Sequence, residues 1–477
     1  MDEDKGRAAL FDDMPAVGEV GKAAPVRRAA PRLQQAVRNQ VELRACDLES
    51  ILAPDHRARA VWQFVQSLDL SALHAEIRAV EGAPGRAPID PAILVALWLY
   101  ATLDGVGSAR ELDRLCESED AYRWLCGGVG VNHHTLSDFR VEQAAWLDEQ
   151  LTRSVAALLA QGAVRMNRVA QDGLRIRAHA KAASFRRRER LQQLLQEARD
   201  QVRALKQEVN AEPGASARRV RAARERAATE REQRVADALR TLERIEQGAA
   251  PKKPKPAAKD APASAADHPD NSEGADKDAR SKDKAPKATR VSTTDAEARV
   301  MKMADGGFRP AFNAQLVVDT PTQFITTVAL SNVGSDMNQM APMMDEVGRR
   351  YGLVPEQWLA DGGFAKHEQI EALSASGCTP YLPVMAAKND ARDPHTPREG
   401  DSPAIAQWRS RMASEKAREI YKQRGASVEC ANAQLRRRDL WRFNVCGLAK
   451  ARAVLLWHAL AHNLQRMIAL DLLPQPT

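Results

Sequence analysis

The chain has 477 residues, 44% of them hydrophobic, with 70 basic against 63 acidic side chains and a net charge of +7. That length supports two or three domains with real cores, and the positive balance favours a polyanionic partner. The six cysteines (Cys46, Cys116, Cys126, Cys378, Cys430, Cys446) form no CxxC pair, which predicts reduced thiols in the cytosol and argues against zinc. The N-terminus lacks an apolar signal core, and the longest apolar run, Ala92 to Leu103, is too short to span a bilayer, so neither export nor membrane insertion is expected.

Residues 1–32 are Ala, Pro and charge without a sustained period, and are expected to be a disordered leader. From 33 to 165 the pattern is helical. Val61, Phe64, Val65, Leu68, Leu70 and Leu73 mark its first stretch. Asp90 is read as an N-cap, with Pro91 at the first helical position and Ile93, Leu94, Leu97, Trp98 and Ala101 following as far as Gly105. Ser108 with Glu111 reads as a capping box. A Gly127-Gly128 stop follows Tyr122, Trp124 and Leu125, and another helix is expected from Leu136 through Leu151. The tryptophans of this all-α domain read as core, and His133 and His134 as capping or solvent residues.

A strand is expected at Asn167 to Asp172, closing on Gly173 before the alternating Leu174 to Ala178. From Ser184 the pattern changes. Leu191, Leu195, Ala198, Val202, Leu205 and Val209 alternate in steps of four and three, the seam of a coiled coil. Pro213-Gly214 breaks it, and a second run with Val235, Ala238, Leu242 and Ile245 predicts an antiparallel hairpin over 184–248, read as structural or dimerising. Residues 249–290 scarcely hold a large apolar side chain and are expected to be a disordered tether.

The sheet resumes at Phe312 to Asp319, turns at Pro321-Thr322 and returns along Phe324 to Leu330 as a hairpin. A helix from about Asp336 to Tyr351 leads to the stretch Val354 to Phe364, an apolar run that stops at Asp361 and breaks into two glycines. A helix over 366–376 and a strand over 379–384 complete the pattern. Three antiparallel strands followed by crossover strands give an α/β RNase-H-like layout, with a mixed sheet over 166–183 and 291–477 interrupted by the helical hairpin. In that layout the ends of the first and fourth strands lie side by side, and the aspartates there are Asp172 and Asp361. Either Asp-Gly pair taken alone reads as an ordinary turn. A third carboxylate belongs on the helix expected at 414–440, where Glu429 and Arg436 are two turns apart and share a face. Glu415 and Glu419 compete by residue type, and the pattern alone leaves the choice open. His458 and His462, one turn apart among leucines, read as packing residues in the absence of a third ligand.

Several motifs in this order resemble bacterial insertion-sequence transposases. They are Asp90 to Leu125 with Thr135 to Arg140, Asp361-Gly362-Gly363-Phe364, Tyr421 to Arg424 leading to Val428-Glu429, and Arg442-Phe443 through Leu460 to Leu464. More narrowly, the chain is similar to the DDE transposases with an InsH-like helical N-terminal domain, the eleven-eighty-two group related to the four and five groups. The resemblance covers roughly 33–182 and 291–470. It implies that Asp172, Asp361 and Glu429 are the catalytic, metal-holding triad. It also implies Asn313 and Gln315 as the Asn-x-Gln of the second strand and Asn338 in a polar cluster before the next helix. Tyr421, Arg424 and Arg436, with Asn313 and Gln315, are then expected to face DNA. Arg424 stands five residues before Glu429, one more than in the related Tyr-Arg-Glu-Lys signature. Arg436 replaces its lysine, and Cys446 stands where arginine is common.

The implied chemistry is two-metal phosphodiester hydrolysis and strand transfer with Mg²⁺, for which Mn²⁺ substitutes. The implied partners are the element's terminal inverted repeats and target DNA, bound by a homodimer or higher assembly in the bacterial cytoplasm. The rivals are an RNase-H-like nuclease without strand transfer, an inactive DNA-binding relic, a coiled-coil scaffold and a phosphatase lacking the helix glutamate.

Overall fold

The computed structural model describes residues 47–77, 79, 87–207, 215–248, 289–386 and 392–474. The expected leader at 1–32, Cys46, Val209, the Pro213-Gly214 break and all but the last two residues of the expected tether lie outside them.

Helices α1 (Arg57–Gln66) and α2 (Ser71–Ala75) lead to α3 (Pro91–Leu103). The Asp90 carboxylate accepts from Ala92 N with Pro91 at N1, and twelve of thirteen side chains are buried, as befits a helix apolar all round at the centre of a bundle. The chain leaves α3 at Gly105, whose φ of 76° suits a residue without Cβ. Helix α4 (Ala109–Ser118) is capped by Ser108, which accepts from Glu111 N at 3.4 Å. Glu111 itself turns to Arg114, so half of the expected capping box forms. Helices α5 (Asp120–Cys126), α6 (His133–Glu142) and α7 (Ala144–Ala160) follow. Helix α6 starts three residues earlier than expected because Asn132 Oδ1 accepts from both His134 N and Thr135 N. His133 Nδ1 lies 3.2 Å from Asp113.

Strand β1 (Arg168–Arg177) opens the sheet. The chain then makes β2 (Phe185–Arg186), helices α8 (Arg188–Gln207) and α9 (Ala215–Gly248), and β3 (Val291–Ser292). Arg188 meets Glu243 and Glu246 while Arg199 meets Glu232, so α8 and α9 run antiparallel. Leu191, Ala198, Val202, Val235, Ala238 and Leu242 are buried. Strands β2 and β3 pair through Phe185↔Ser292 and Arg186↔Val291, so the hairpin leaves and rejoins the sheet region through one short ladder. Such an excursion costs little, because loop-closure entropy rises slowly with length.

Strands β4 (Arg299–Lys302), β5 (Phe308–Asp319) and β6 (Ile325–Ser331) come next, then α10 (Met340–Tyr351), β7 (Gln357–Leu359), α11 (His367–Ala375) and β8 (Thr379–Tyr381). The spatial order is β6-β5-β1-β7-β8, with β4 also pairing to β5. Pairs β5–β1 and β5–β6 are antiparallel, while β1–β7 and β7–β8 are parallel. Helix α10 begins at Met340 rather than Asp336, because Asp336–Gln339 is a turn closed by Gln339 N to Asp336 O.

Helices α12 (Pro403–Ala413), α13 (Glu415–Arg424), α14 (Cys430–Arg437) and α15 (Leu448–Ala469) complete the chain. Helix α15 packs on α3, α6, α7 and β6, and one apolar core runs through the helical region and the sheet. Its Asn463 clamps the β5–β6 hairpin, accepting from Ile325 N and donating to Ile325 O, both at 2.8 Å. His462 Nε2 meets Gln323 O at 2.8 Å, and Gln323 is at φ 63° in that turn. The Leu460 to Leu464 motif thus ties the last helix to the sheet. Burial holds both His458 and His462 down to about 4, consistent with neutral packing histidines. The five described cysteines form no disulfide, and no described helix is long and apolar enough to cross a membrane.

Candidate active site

Asp172 sits in the middle of β1, not at its end. The strand runs unbroken through Gly173 to Arg177, paired residue for residue with β5, which corrects the strand end expected at Asp172. Gly173 answers to close packing: a Cβ there would lie 2.5 Å from Asp336 Oδ1 and 2.9 Å from Gln315 Nε2. Asp172 projects from the opposite face to its strand neighbours Gln171 and Gly173. It accepts from Gly173 N at 2.9 Å and from Asn432 Nδ2 of α14 at 2.8 Å.

Asp361 lies two residues past β7, the strand parallel to β1. Its carboxylate accepts from Gly363 N at 2.8 Å and caps a single 3-10 turn, Gly362–Phe364. Gly362 and Gly363 keep ordinary negative φ. Their lack of Cβ leaves room for Met385 Sδ, 3.1 Å from where a Gly362 Cβ would stand, and for the Asp361 carboxylate itself. Glu429 comes from the far end of the chain, where α13 and α14 join through a π turn, Gly425–Glu429. The helix expected over 414–440 is therefore interrupted. A π turn accommodates one extra residue, and here it lies between Arg424 and Glu429, where the spacing exceeds that of the related signature by one.

The three carboxylates converge on one guanidinium. Arg424 Nη2 lies 3.0 Å from Asp172 Oδ1 and 3.8 Å from Asp361 Oδ2, and Nη1 lies 2.5 Å from Glu429 Oε1. Glu415 and Glu419 make no such approach; Glu419 pairs with Lys422. The side chains of Arg424 and Asp172 are 10% and 16% exposed, against 44% for Asp361 and 55% for Glu429. Burial pushes Asp172 up to about 6, Arg424 pulling it down and the charges of Asp361 and Glu429 adding to the rise. Desolvation and like charge thus outweigh the single arginine.

Among the described residues no three His, Cys, Asp or Glu side chains are drawn closely enough together to hold a metal ion, and the guanidinium standing among the carboxylates accounts for their spacing. By donor type the set suits a hard divalent cation. Asn432 adds a buried carbonyl oxygen, Oδ1, with no hydrogen-bond partner, and Arg424 Nε is likewise unpartnered. The unmatched Asn432 oxygen beside a surplus of negative charge fits a centre completed by a hydrated cation, whereas the Arg424 Nε–H calls for an acceptor.

Two residues expected to face DNA do not. Asn313 and Gln315 are fully buried, where Asn313 Nδ2 and Gln315 Nε2 donate to Asp336 Oδ1 at 2.6 and 2.8 Å. Arg175 pairs with the other Asp336 oxygen at 2.7 Å. Gln171 bridges Gln315, Gln339 O and Trp358 Nε1. This network braces β1 and β5 behind the carboxylates. Arg424 is also turned inward and 8% exposed. Tyr421 is half-buried one turn before it, and Asn338 accepts from Lys366 Nζ at 3.1 Å. Arg436 is half-exposed with its guanidinium 5.3 Å from the Trp441 ring centroid. Residue reasoning missed Asn432, although it stands three after Glu429 and four before Arg436 on the face they share. It also missed Asp336, which had been assigned to a helix start.

A mixed sheet that gathers acids from β1, β7 and a distant helix defines a class of fold, and comparison with known families specifies it. The model of the transposase DDE domain matches residues 282–464, and that of a second transposase domain matches 46–142. No curated protein and no solved structure matches the chain. The chain belongs to the DDE transposases of insertion sequences. The DDE domain implies the RNase-H-like fold, DNA as partner and use of divalent metal. Its match takes in Asp361 and Glu429, whereas Asp172 lies outside it and joins them only through the folding of β1.

Proposed function

We propose that this chain cuts DNA at the ends of its insertion sequence and joins the freed 3′-OH to target DNA. Within the transposases we assign it to the eleven-eighty-two group. The observation that carries the reading is the approach of Asp172, Asp361 and Glu429, from segments far apart in sequence, to one buried guanidinium, that of Arg424.

Asp172, Asp361 and Glu429 are the residues that would hold Mg²⁺ or Mn²⁺, which when bound supplies an activated oxygen nucleophile and charge stabilisation at the leaving oxygen. Asn432 fixes the Asp172 carboxylate by donating to Oδ2, leaving Oδ1 turned toward Arg424. Gly363 N orients Asp361 in the same way. Arg436 offers a guanidinium on the Glu429 face for a DNA phosphate, and Tyr421 lies on the same approach. The helical region from 47 to 165 is the DNA-binding part, residues 166–183 and 291–474 are the catalytic part, and α8–α9 is a coiled-coil arm serving assembly of a dimer on DNA.

The test uses DNA carrying the inverted repeats that flank the gene. Asp172→Ala, Asp361→Ala and Glu429→Ala should each abolish Mg²⁺-dependent cleavage and joining, while end binding stays nearly intact because affinity rests mainly on phosphate contacts. Cleavage that survives in Glu429→Ala but is lost on replacing Glu415 or Glu419 overturns the assignment. Cleavage without joining of pre-cut 3′-OH ends identifies a nuclease instead.

A further inference from the structure

The α3–α4 connection and the turn that follows α14 face each other: a Cβ at Gly105 would stand 3.6 Å from the Arg438 carbonyl carbon. Beside this contact is a cavity of about 200 Å³ whose walls carry three arginines, Arg140, Arg438 and Arg442, and one carboxylate, Asp439. Among the described residues none of the four stands in an ion pair. The volume is below the roughly 300 Å³ at which cavities for drug-sized molecules begin, so it suits one small group.

Arg140 is the anomaly. It is only 7% exposed, and an arginine so deeply buried is ordinarily matched by a carboxylate. Instead Nη1 donates to Gly107 O at 2.6 Å and to Asn444 Oδ1 at 2.9 Å, and the guanidinium lies 4.7 Å from the Trp98 ring centroid. These partners satisfy hydrogen bonds and offset part of the charge without neutralising it. Arg438 is half-buried, and its Nη1 is wholly buried with no hydrogen-bond partner. Burial pulls both guanidiniums down to about 10, with the charges of Arg57 and Arg437 adding at Arg438. Arg442 is exposed and gives Nη2 to His179 O at 2.8 Å. Three guanidiniums against one carboxylate leave the cavity short of negative charge.

What such a cavity lacks is a small anion, and the planar fork of arginine matches the oxygens of a phosphate. We propose that the cavity is a binding site for one phosphate group, seated between Arg140 and Arg438 with Arg442 on its exposed side. Arg140 belongs to α6 of the helical region and Arg438 directly follows α14, so the anion ties the helical region to the helix that carries Asn432. The group is free phosphate or a phosphate of a DNA strand, and both present the same oxygens. The site stands on its own charge balance and does not depend on the transposase reading.

The full chain is titrated in EDTA at constant ionic strength, in one arm with inorganic phosphate by calorimetry and in the other with a labelled blunt duplex by fluorescence anisotropy. Arg438→Gln should weaken binding roughly tenfold, the scale of one hydrogen bond to a charged group. Without ligand it should melt no lower than the parent, because an uncompensated charge has been removed. Asp439→Asn should act in the opposite sense and tighten binding, because it removes the one carboxylate on the walls. Asp439 has φ 64°, a backbone conformation that asparagine also tolerates, so this variant keeps the turn. A loss in Arg438→Gln with phosphate assigns the seat to the free anion, and a loss confined to the duplex arm assigns it to a phosphate of DNA. Equal affinities for parent and Arg438→Gln in both arms overturn the site and leave the transposase reading standing. Weaker binding in Asp439→Asn as well as in Arg438→Gln shows a disturbed turn instead of a charged seat, and also overturns it.

Discussion

Replacing Arg424 with Gln removes the one positive charge among three carboxylates, and the structure sets the scale of the effect. The pairs with Asp361 and Glu429 involve carboxylates 44% and 55% exposed, where solvent screening leaves each worth less than about 1 kcal/mol. The pair with Asp172 is different. It spans 3.0 Å between side chains 10% and 16% exposed, and removing one partner of such a buried pair costs roughly 3 kcal/mol, because the other charge is stranded. At pH 8 in EDTA the Arg424→Gln protein should be less stable than the parent by about that amount, measured by denaturant titration. Saturating Mg²⁺ should close most of the gap, because the cation enters the variant without displacing a guanidinium. A ligand at a hundred times its Kd stabilises by about 2.7 kcal/mol, which matches the loss. Calorimetric titration should show the variant binding Mn²⁺ roughly tenfold or more tightly than the parent. If Arg424→Gln is as stable as the parent in EDTA, the arginine is not holding the cluster. If the gap is the same with and without Mg²⁺, arginine and metal do not compete for it.

Burial lifts Asp172 from its ordinary 3.8 to about 6, so the folded chain holds this proton more tightly than the unfolded one. Its contribution to stability is therefore fully present below about pH 4 and is lost as pH rises through about 6, a span equivalent to roughly 3 kcal/mol. In EDTA, Asp172→Asn should exceed the parent in stability at pH 8 by up to that amount, with the gap closing below pH 4; an unvarying gap would place the titration elsewhere. Gly173→Ala would drive a methyl group into an Asp336 carboxylate that Arg175, Asn313 and Gln315 hold in place. A loss of about 1–3 kcal/mol is expected in the same titration, and an unchanged midpoint would show that Asp336 can retreat.

What was legible in the sequence follows from what is locally encoded. The cap at Asp90 and the glycine stop at Gly105 each depend on neighbours within a few positions, and each stands where the pattern put it; of the expected seam, Leu191, Ala198, Val202, Val235, Ala238 and Leu242 are buried. The strand end expected at Asp172 rests on the glycine after it, and an Asp-Gly pair ends a strand only when the backbone is free to turn. Here nine successive pairings with β5 hold the strand straight, and the glycine serves a carboxylate 163 positions later. The expectation that Asn313 and Gln315 face DNA rests on the resemblance, through the Asn-x-Gln of the second strand, and not on their neighbours. Nothing local announces that Asp336 and Gln171 will satisfy them in the interior. The same holds for Arg424, since the three carboxylates that turn it inward come from three separate elements.

The π turn joins these observations into one constraint. On a continuous α-helix, residues five apart are separated by about 140° around the axis, so Arg424 and Glu429 would face different directions and could not share a hydrogen bond. A π turn widens the helix to admit one more residue, which brings positions five apart close to register. Here they meet at 2.5 Å. The turn is held from within: Ser427 is fully buried and its hydroxyl donates to the carbonyls of Gln423 and Arg424. A Cβ at Gly425 would make only an ordinary contact with the Glu429 carboxylate, 3.6 Å from Oε2. Downstream, α14 still presents Asn432 to Asp172. The extra residue is therefore absorbed without turning the Glu429 face away from the sheet, and the departure in spacing from the related signature leaves the carboxylate cluster whole.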